Sequence, residues 1–178
     1  MGRLVVVGNI DGDYTWVASQ LEEVGLHPGD RVYFLGNHVG SADQSADVIE
    51  DLIRIHPFRK TYHITGDKDL AFRDWLMHGV GDVEQAIVDS YNGNDIPYEH
   101  LRFLMGMFES YTVSLPHVDY VMSHRLPEKR EPNVLYVVSA EADEYTWIDK
   151  NILNVGKTVT VLDTAEHVVD FRRFHEND

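Results

Sequence analysis

The sequence contains no cysteine, which excludes disulfide bonds, thiolate metal sites and cysteine nucleophiles. Basic residues are scarce, because 15 Lys and Arg stand against 30 Asp and Glu, giving a formal net charge of −15. Such a chain should repel nucleic-acid phosphates and anionic membrane surfaces. No apolar run approaches the roughly 20 residues that a membrane helix needs, and Met1–Val7 lacks the layout of a secretory signal. We therefore expect a cytoplasmic protein that binds neither nucleic acid directly nor a membrane.

The rest of the composition is that of a folded protein. Hydrophobic residues make up 43% of the 178 residues and aromatic residues 11%, which excludes wholesale disorder. A chain of this length suits one globular domain, and we predict a single domain over residues 1–178. The acidic balance has two interpretations: it keeps a surface well solvated, or it complements a basic surface on a protein partner.

Hydrophobic patterning predicts alternating strands and helices in the first half of the chain. Three short apolar runs are typical of buried strands, at Arg3–Gly8, Arg31–Leu35 and Thr61–Thr65. Between them, apolar residues at helical spacing predict helices over Tyr14–Val24 and Ala46–Ile55. This β-α-β-α-β order is typical of an α/β fold with parallel strands.

The second half of the chain predicts shorter helices followed by strands. Helical patterns cover Leu70–His78, Val83–Ser90 and a segment from Pro97 to Phe108. Strand patterns follow at Ser110–Ser114, Asp119–Ser123, Val134–Ser139, Lys157–Asp163 and His167–Phe174. We expect a mixed sheet, or two sheets packed together, flanked by the helices.

Each of the first three predicted strands ends in glycine followed by a short polar residue. These pairs are Gly8-Asn9, Gly36-Asn37 and Gly66-Asp67. Ligands of α/β sheets bind beyond the carboxyl ends of the strands, so three polar side chains could meet there in one crevice. Glycine, Asn and Asp are also favoured in ordinary turns, and that second interpretation stays open.

Longer motifs surround these glycines. They are GNIDG at Gly8–Gly12, GNHVGSA at Gly36–Ala42 and GDKD at Gly66–Asp69, with framework segments at Asp30–Gly36 and Gly156–Val159. The chain thereby resembles the calcineurin-like metallophosphoesterases, in particular the compact bacterial and phage lambda-type serine/threonine phosphatases, whose signature contains GDxHG, GDxVDRG and GNHE. The resemblance implies an α/β (α+β) fold with mixed β-sheets flanked by helices and a shortened C-terminal end. For a phage-encoded protein the expected compartment is the host cytoplasm.

The resemblance also identifies the positions that carry the family's chemistry, and this chain has changed them. In the family, the Asp and His of the first motif bind one metal, and these positions are Asn9 and Asp11. The Asp that bridges both metals is Asn37. The third-motif Asn that binds the second metal is Asp67, and the neighbouring acid His is Lys68.

The later motifs have changed as well. The separate metal-binding His of the family falls at Ser123, with His124 one residue away, and the His of a final GH motif aligns with Asp163. The two arginines that grip phosphate align with Ser41 and Asp149. The resemblance therefore places candidate metal ligands at degenerate positions, namely Asn9, Asp11, Asn37, Asp67, His124 and Asp163.

Two hypotheses follow. In the first, the protein is a non-catalytic pseudophosphatase that binds a partner or a phosphorylated ligand without a cofactor, since neutral Asn37 cannot bridge two dications. The loss of both arginines also removes the bidentate grip on phosphate. In the second, the protein is a metal-dependent phosphoesterase with a remodelled oxygen-ligand site. That site would hold Mg²⁺ or Mn²⁺ (or Ca²⁺), and Lys68 would meet phosphate as a point charge.

A third hypothesis, compatible with the first, is an acidic interaction protein that masks a basic surface. The carboxylates of Asp11, Asp67, Asp69 and Asp163 should crowd together with Lys68 as the only nearby cation. Like charges that close raise one another's pKa and destabilise the fold. We therefore expect the pocket either to open to water or to accept a basic group from a protein partner.

Overall fold

A computed structural model describes residues 2–56, 60–79, 81–116, 118–139, 146–149, 151–163 and 168–170. The first half alternates strands and helices: β1 (Leu4–Val7), α1 (Tyr14–Val24), β2 (Arg31–Phe34), α2 (Ser45–Ile55), β3 (Lys60–His63) and α3 (Asp67–His78). The second half contains α4 (Gln85–Asp89), α5 (Tyr98–Met105), β4 (Ser110–Ser114), β5 (Asp119–Ser123), β6 (Val134–Val138), β7 (Thr146–Asp149), β8 (Ile152–Asn154), β9 (Val159–Asp163) and β10 (Val168–Asp170). Within the described ranges, no helix has both the length and the apolar character needed to span a membrane.

The described strands form two five-stranded sheets. The first has the order β10-β9-β1-β2-β3, in which β1, β2 and β3 are parallel and β9 runs antiparallel to β1. The second has the order β4-β5-β6-β8-β7, with β5, β6 and β8 parallel between two antiparallel edge strands. The expectation of mixed sheets flanked by helices is therefore confirmed.

The apolar run of β1 is buried on both of its faces. Leu4 and Val6 join the core between the two sheets, together with Met122 from β5. Val5 and Val7 pack instead in the core beneath α1 and α2. A strand covered on both faces has no polar alternation, which explains why this segment is a continuous run of hydrophobic residues.

A third apolar cluster fixes α3 beside the first sheet. It joins Ile49 of α2, Phe72 of α3, Ile87 of α4 and Leu104 of α5. Since α3 begins at Asp67, this packing also sets where the first turn of the helix lies. That turn carries two of the candidate site residues.

Candidate functional site

Three loops leave the same edge of the first sheet, because β1, β2 and β3 are parallel. The loops after β1 and β2 are joined by backbone hydrogen bonds, from Asp11 N to Asn37 O at 2.7 Å and from Gly12 N to His38 O at 3.1 Å. The third loop is joined to the second where Lys68 N donates to Asn37 Oδ1 at 3.1 Å. The structure therefore brings the three glycine-containing motifs together at one edge.

The loops approach so closely that a side chain would not fit at two of the glycines. A Cβ at Gly36 would meet the backbone of Gly66 and the ring of His124, and one at Gly66 would meet Asn37. Gly36 also has φ +99°, and Asp11 and Asn37 have φ +58° and +48°. Glycine, Asn and Asp tolerate this left-handed region best. The backbone conformation therefore explains why these three residue types occupy the loops that follow the strands.

Asp69 fastens the second and third loops to each other from inside the protein. Its buried carboxylate accepts hydrogen bonds from the backbone N of His38 (2.8 Å), Val39 (3.1 Å) and Gly66 (2.9 Å), and lies 2.8 Å from His38 Nδ1. Burial raises the pKa of Asp69, but His38 and the backbone N–H groups outweigh it, so the pKa lies below its ordinary value. Its position three residues after the N-cap Gly66 is the sequence feature that fits part of this role, since its carboxylate accepts from the N-cap N–H.

Lys68 forms an ion pair with two carboxylates at the edge of the sheet. Its Nζ lies 2.5 Å from Asp11 Oδ1 and 2.8 Å from Glu84 Oε1, and Asp11 also accepts from Ser41 Oγ at 2.6 Å. Burial raises the pKa of Asp11, but Lys68 and Ser41 lower it by a larger amount. The pKa of Asp11 therefore lies below its ordinary value. Burial lowers the pKa of Lys68, but Asp11 and Glu84 raise it above its ordinary value. Glu84 belongs to none of the sequence motifs and was not among the predicted site residues.

A second ion pair lies beside the first. Arg125 binds Asp67 in bidentate fashion, with Nη2 at 2.7 Å from Oδ1 and Nε donating to Oδ2 at 3.1 Å. His124 Nδ1 donates to Leu35 O at 2.9 Å, which directs Nε2 towards Asp67 Oδ2, 3.8 Å away. The prediction that Lys68 is the only nearby cation is therefore wrong, because Arg125 adds a second positive charge.

Two other residues predicted from the resemblance, Asn9 and Ser123, take no part in these ion pairs. Asn9 is buried and its N donates to Gly156 O at 2.8 Å, while its Oδ1 has no hydrogen-bond partner in the described structure. Ser123 Oγ donates to Arg125 O at 2.8 Å. Ser123 is the last residue of β5, and it is the next residue, His124, that reaches the candidate site.

The structure does not bring Asp163 to this edge. Because β9 runs antiparallel to β1, Leu162 lies opposite Leu4, at the amino end of β1. Asp163 lies one residue further, whereas Asn9 follows the carboxyl end of β1. Strands rise about 3.3 Å per residue, so the length of β1 separates the two. Asp163 thus leaves the candidate set, and the side chain of Asp149 lies outside the described residues.

The described residues do not fit a pair of metal ions. Asp11 and Asp67 each already bind a protein cation, and Asn37 offers a neutral oxygen that accepts from Lys68 N. Among the residues that the structure describes, no three His, Asp or Glu side chains are grouped so that they could hold a metal ion. A dication would have to displace both ion pairs before it found an anionic ligand here.

The Lys68 ion pair predicts an acid-dependent part of the stability. Since the folded-state pKa of Asp11 is depressed, its contribution is present above the unfolded value of about 3.8 and is lost as pH falls through the folded value. We expect Lys68→Met to lower the free energy of unfolding at pH 7 by up to about 1 kcal/mol and to reduce the acid-induced loss. Urea unfolding at pH 7, 4 and 2 measures both quantities.

Arg54 supplies the control, because it is an exposed cation in a helical pair with Glu50. We expect Arg54→Met to leave the acid-induced loss of stability as it is in the unmodified protein. An identical acid response for Lys68→Met and the unmodified protein would contradict the ion pair at Asp11.

Comparison with known proteins identifies the fold. No protein-family model matches the chain, and a search of curated proteins also finds no match. Solved structures do match. A protein provisionally described as a diadenosine tetraphosphatase has a TM-score of 0.70 at 14% identity, over 95% of this chain and 92% of its own. A metallophosphoesterase from Sphaerobacter thermophilus has a TM-score of 0.66 at 13% identity, over 99% and 89%.

A third solved structure, the E. coli phosphoesterase Yfce, has a TM-score of 0.52 at 12% identity, over 94% of this chain and 96% of its own. These similarities confirm the metallophosphoesterase fold that the motifs predicted. Fold and activity are separate properties, and at these identities the similarity shows the fold alone. The narrower resemblance to the phage lambda type stays a prediction.

Proposed function

We propose that the chain is a non-catalytic pseudophosphatase, a metallophosphoesterase fold that binds a partner at the edge where the three motif loops meet. The observation that carries this proposal is the ion pair of Lys68 with Asp11 and Glu84. Lys68 stands where the resembling family has its acid His, and its ammonium binds the carboxylate that stands in place of a metal-binding His. A protein cation therefore neutralises this part of the site.

The groups at this edge are poorly suited to acid–base or nucleophilic chemistry. Lys68 has a raised pKa, so it stays protonated at neutral pH and cannot act as a general base. Ser41 donates to Asp11, but a carboxylate with a depressed pKa is too weak a base to activate a serine hydroxyl. The Nε2 of His124 lies 3.8 Å from Asp67 Oδ2, beyond hydrogen-bond distance.

The charge at this edge favours a partner with a basic surface over a phosphorylated ligand. Three carboxylates, those of Asp11, Asp67 and Glu84, face two cations, Lys68 and Arg125. The excess is negative, and the chain as a whole has a net charge of −15. The side chains of Asp67 and Glu84 are 50% and 40% exposed, so a partner can reach them. Electrostatic complementarity of this kind speeds association and selects partners.

Affinity capture from the native cell tests the partner. We expect a basic protein to be retained by the unmodified chain and lost from the double variant Asp67→Lys/Glu84→Lys, because the variant reverses the local charge. Arg54→Glu supplies a control on an exposed helix face away from this edge. Loss of the same protein from the control variant, or its retention by the double variant, would exclude this edge as the binding surface.

Purified protein should show no metal-stimulated hydrolysis of p-nitrophenyl phosphate with Mn²⁺, Ni²⁺ or Mg²⁺. The reason is that Asp11, Glu84 and Asp67 are each paired with a protein cation, and the family's phosphate-binding arginines are replaced. Release of p-nitrophenol is the measurement. Turnover that disappears in Asp11→Ala or Asp67→Ala would contradict the proposal and support the remodelled phosphoesterase.

Chelation of metal ions should leave the thermal stability unchanged. A ligand that binds only the folded state adds RT ln(1 + [L]/Kd) to the free energy of unfolding, so a resident metal would show as a fall in Tm on removal. We expect EDTA to shift the Tm by no more than the error of differential scanning fluorimetry. A clear fall that one particular dication reverses would show that the protein binds that ion.

A further inference from the structure

His63, the last residue of β3, lies in a buried cluster of aromatic rings. Its ring stacks on Phe34, with centroids 4.9 Å apart and planes 3° apart, and meets the ring of Phe103 from α5 at 4.8 Å and 68°. Two further histidines complete the cluster, with ring centroids at 5.5 Å for His38 and 5.8 Å for His56. Only 5% of His63 is exposed, so this imidazole is enclosed by other rings.

Neither nitrogen of the His63 ring meets an acidic group. Its Nδ1 lies 3.4 Å from Nε2 of His38, and its Nε2 is buried without a hydrogen-bond partner among the described residues. The carboxylate of Asp69 pairs with Nδ1 of His38 and so lies on the far side of that ring. A proton added to His63 would place a positive charge where neither water nor a carboxylate compensates it, and such burial of a charge is unfavourable.

The charged groups on the other elements packed here do not offset that charge. His56, which follows α2, offers a second imidazole rather than an acid. Glu99 and Arg102 of α5 line the adjacent cavity with opposite charges, and both are exposed to solvent. Burial lowers the pKa of His63 well below its ordinary value, and the neighbouring rings of His38 and His56 contribute to this shift. The ring is therefore neutral at pH 7.

The cavity lies on the α5 side of the cluster. It has a volume of about 360 Å³ between α2, α5 and β3. Its walls include exposed residues such as Arg102 and Gly106, so it opens to the surface. Phe103 lines this cavity and packs edge-on against the ring of His63. Phe103 is thus the side chain through which α5 shields His63 from solvent.

We propose that protonation of His63 releases α5 from β3, which gives the fold an acid-sensitive switch at this cluster. Water reaches the charged ring once Phe103 moves away, while β3 keeps its pairing with β2. The unfolded or opened chain takes up the proton more readily than the closed fold, so stability falls as pH falls below about 6.5. The switch is independent of the proposed function, because none of the rings that touch His63 belongs to the ion pairs of the candidate site.

Urea unfolding of the full chain at pH 7, 6 and 5 tests the proposal. His63→Phe keeps a ring that can stack on Phe34 but takes up no proton. In the unfolded chain, His63 has its ordinary pKa of 6.5 and is almost fully protonated at pH 5. From pH 7 to 5, the unfolding equilibrium constant should therefore rise about five- to 25-fold more in the unmodified protein than in His63→Phe. An equal rise in both proteins would overturn the proposal.

Two further variants separate this effect from other consequences of substitution. The matched control is His100→Phe on α5, which removes a buried histidine whose Nε2 lies 3.3 Å from Glu50 Oε2, so that a proton there meets a carboxylate. It should keep the acid response of the unmodified protein. Phe103→Leu shortens the side chain that shields His63 and should reduce the response, which keeps the test decisive if His63→Phe does not fold. An unchanged response in Phe103→Leu, or its loss in His100→Phe, would contradict the proposal.

Native-state hydrogen exchange of the unmodified protein shows where acid opens the fold. After correction for the intrinsic exchange rate, amides of α5 should lose protection between pH 7 and 5 at urea concentrations too low for global unfolding. Amides of β1, which is buried on both faces, should exchange only through global unfolding. If α5 and β1 show the same protection at every urea concentration, acid unfolds the whole domain and α5 is not released separately.

Discussion

Replacing Asp69 by alanine should lower the free energy of unfolding by about 3 kcal/mol or more, because leaving even one buried donor without an acceptor costs about 1–3 kcal/mol and this carboxylate serves four donors. The carboxylate is fully buried and accepts from three backbone N–H groups and from His38 Nδ1. Alanine leaves all four donors without an acceptor in a region that water does not reach. Urea denaturation followed by circular dichroism measures the loss.

Two further substitutions show whether the hydrogen bonds carry this effect. Asp69→Asn keeps the shape and one acceptor oxygen, so we expect a smaller loss than for alanine. Asp74→Ala lies on the same helix, where the carboxylate is 48% exposed and pairs with Arg73, and it should change the stability by at most about 0.5 kcal/mol. A loss for Asp69→Ala as small as that for Asp74→Ala would contradict the anchoring role.

This anchor explains how the framework survives the changes at the site. Asp69 ties the loop after β2 to the first turn of α3 through backbone N–H groups, which every residue except proline provides. The close approach of Gly36 and Gly66 requires only that both stay glycine. Neither the hydrogen bonds of Asp69 nor the contact between the two glycines depends on the side chains at the degenerate positions. The fold therefore persists while the chemistry of those positions changes.

Patterning predicts the helices and most of the strands of this chain but not β7 and β8. The helix predicted over Tyr14–Val24 has the same bounds in the structure, because its apolar spacing and Gly25 mark both the face and the end. In contrast, β8 has three residues and β7 has four. Length alone does not explain the difference, because β1, β2 and β3 also have four residues each. The pairing of β8 with β6 and with β7 depends on tertiary contacts.

The candidate site, like the fold, has features that the sequence predicts and features that it does not. The convergence of the three loops follows from parallel strands, whose carboxyl ends share one edge. The ion pairs that decide the chemistry do not follow, because Arg125 lies 58 residues from Asp67 and belongs to no motif. A shift of one residue also reverses the face of a side chain, which is why the choice between Ser123 and His124 needed the structure.

Asp163 shows a further limit of sequence comparison. The nearby segment from Gly156 to Val159 does approach the site, since Gly8 N donates to Thr158 O at 2.9 Å. The strand that follows then runs away from it, antiparallel to β1. The direction of a strand after a turn is set by its partners in the sheet, and no residue in the segment indicates it.

Restoring the family residues together should create a metal site at the edge where the three motif loops meet. The variant is Asn9→Asp, Asp11→His, Asn37→Asp, Asp67→Asn and Lys68→His. Positions 11 and 37 have positive φ, a conformation in which His and Asp are both enriched. The substitutions at Lys68 and Asp67 remove the ion pairs that these two residues form. The carboxylate introduced at position 37 supplies the anionic bridge that two dications need.

We expect this variant to bind Mn²⁺ in isothermal titration calorimetry. At a concentration of 100 times Kd, the ion should raise the free energy of unfolding by about 2.7 kcal/mol. His124 should take part, because its Nδ1 is fixed by Leu35 O and its Nε2 is directed to position 67, the arrangement of a histidine ligand held by an outer hydrogen bond.

The matched control carries the same five substitutions with His124→Ala. Without the imidazole we expect Mn²⁺ to bind at least tenfold more weakly, a loss of about 1.4 kcal/mol, while circular dichroism shows the same folded state. Equal affinity in the two proteins would place the ion away from His124. If the five-residue variant folds and binds no Mn²⁺, the correspondence between the three loops and the family motifs is wrong, and the degenerate positions then carry no information about an ancestral metal site.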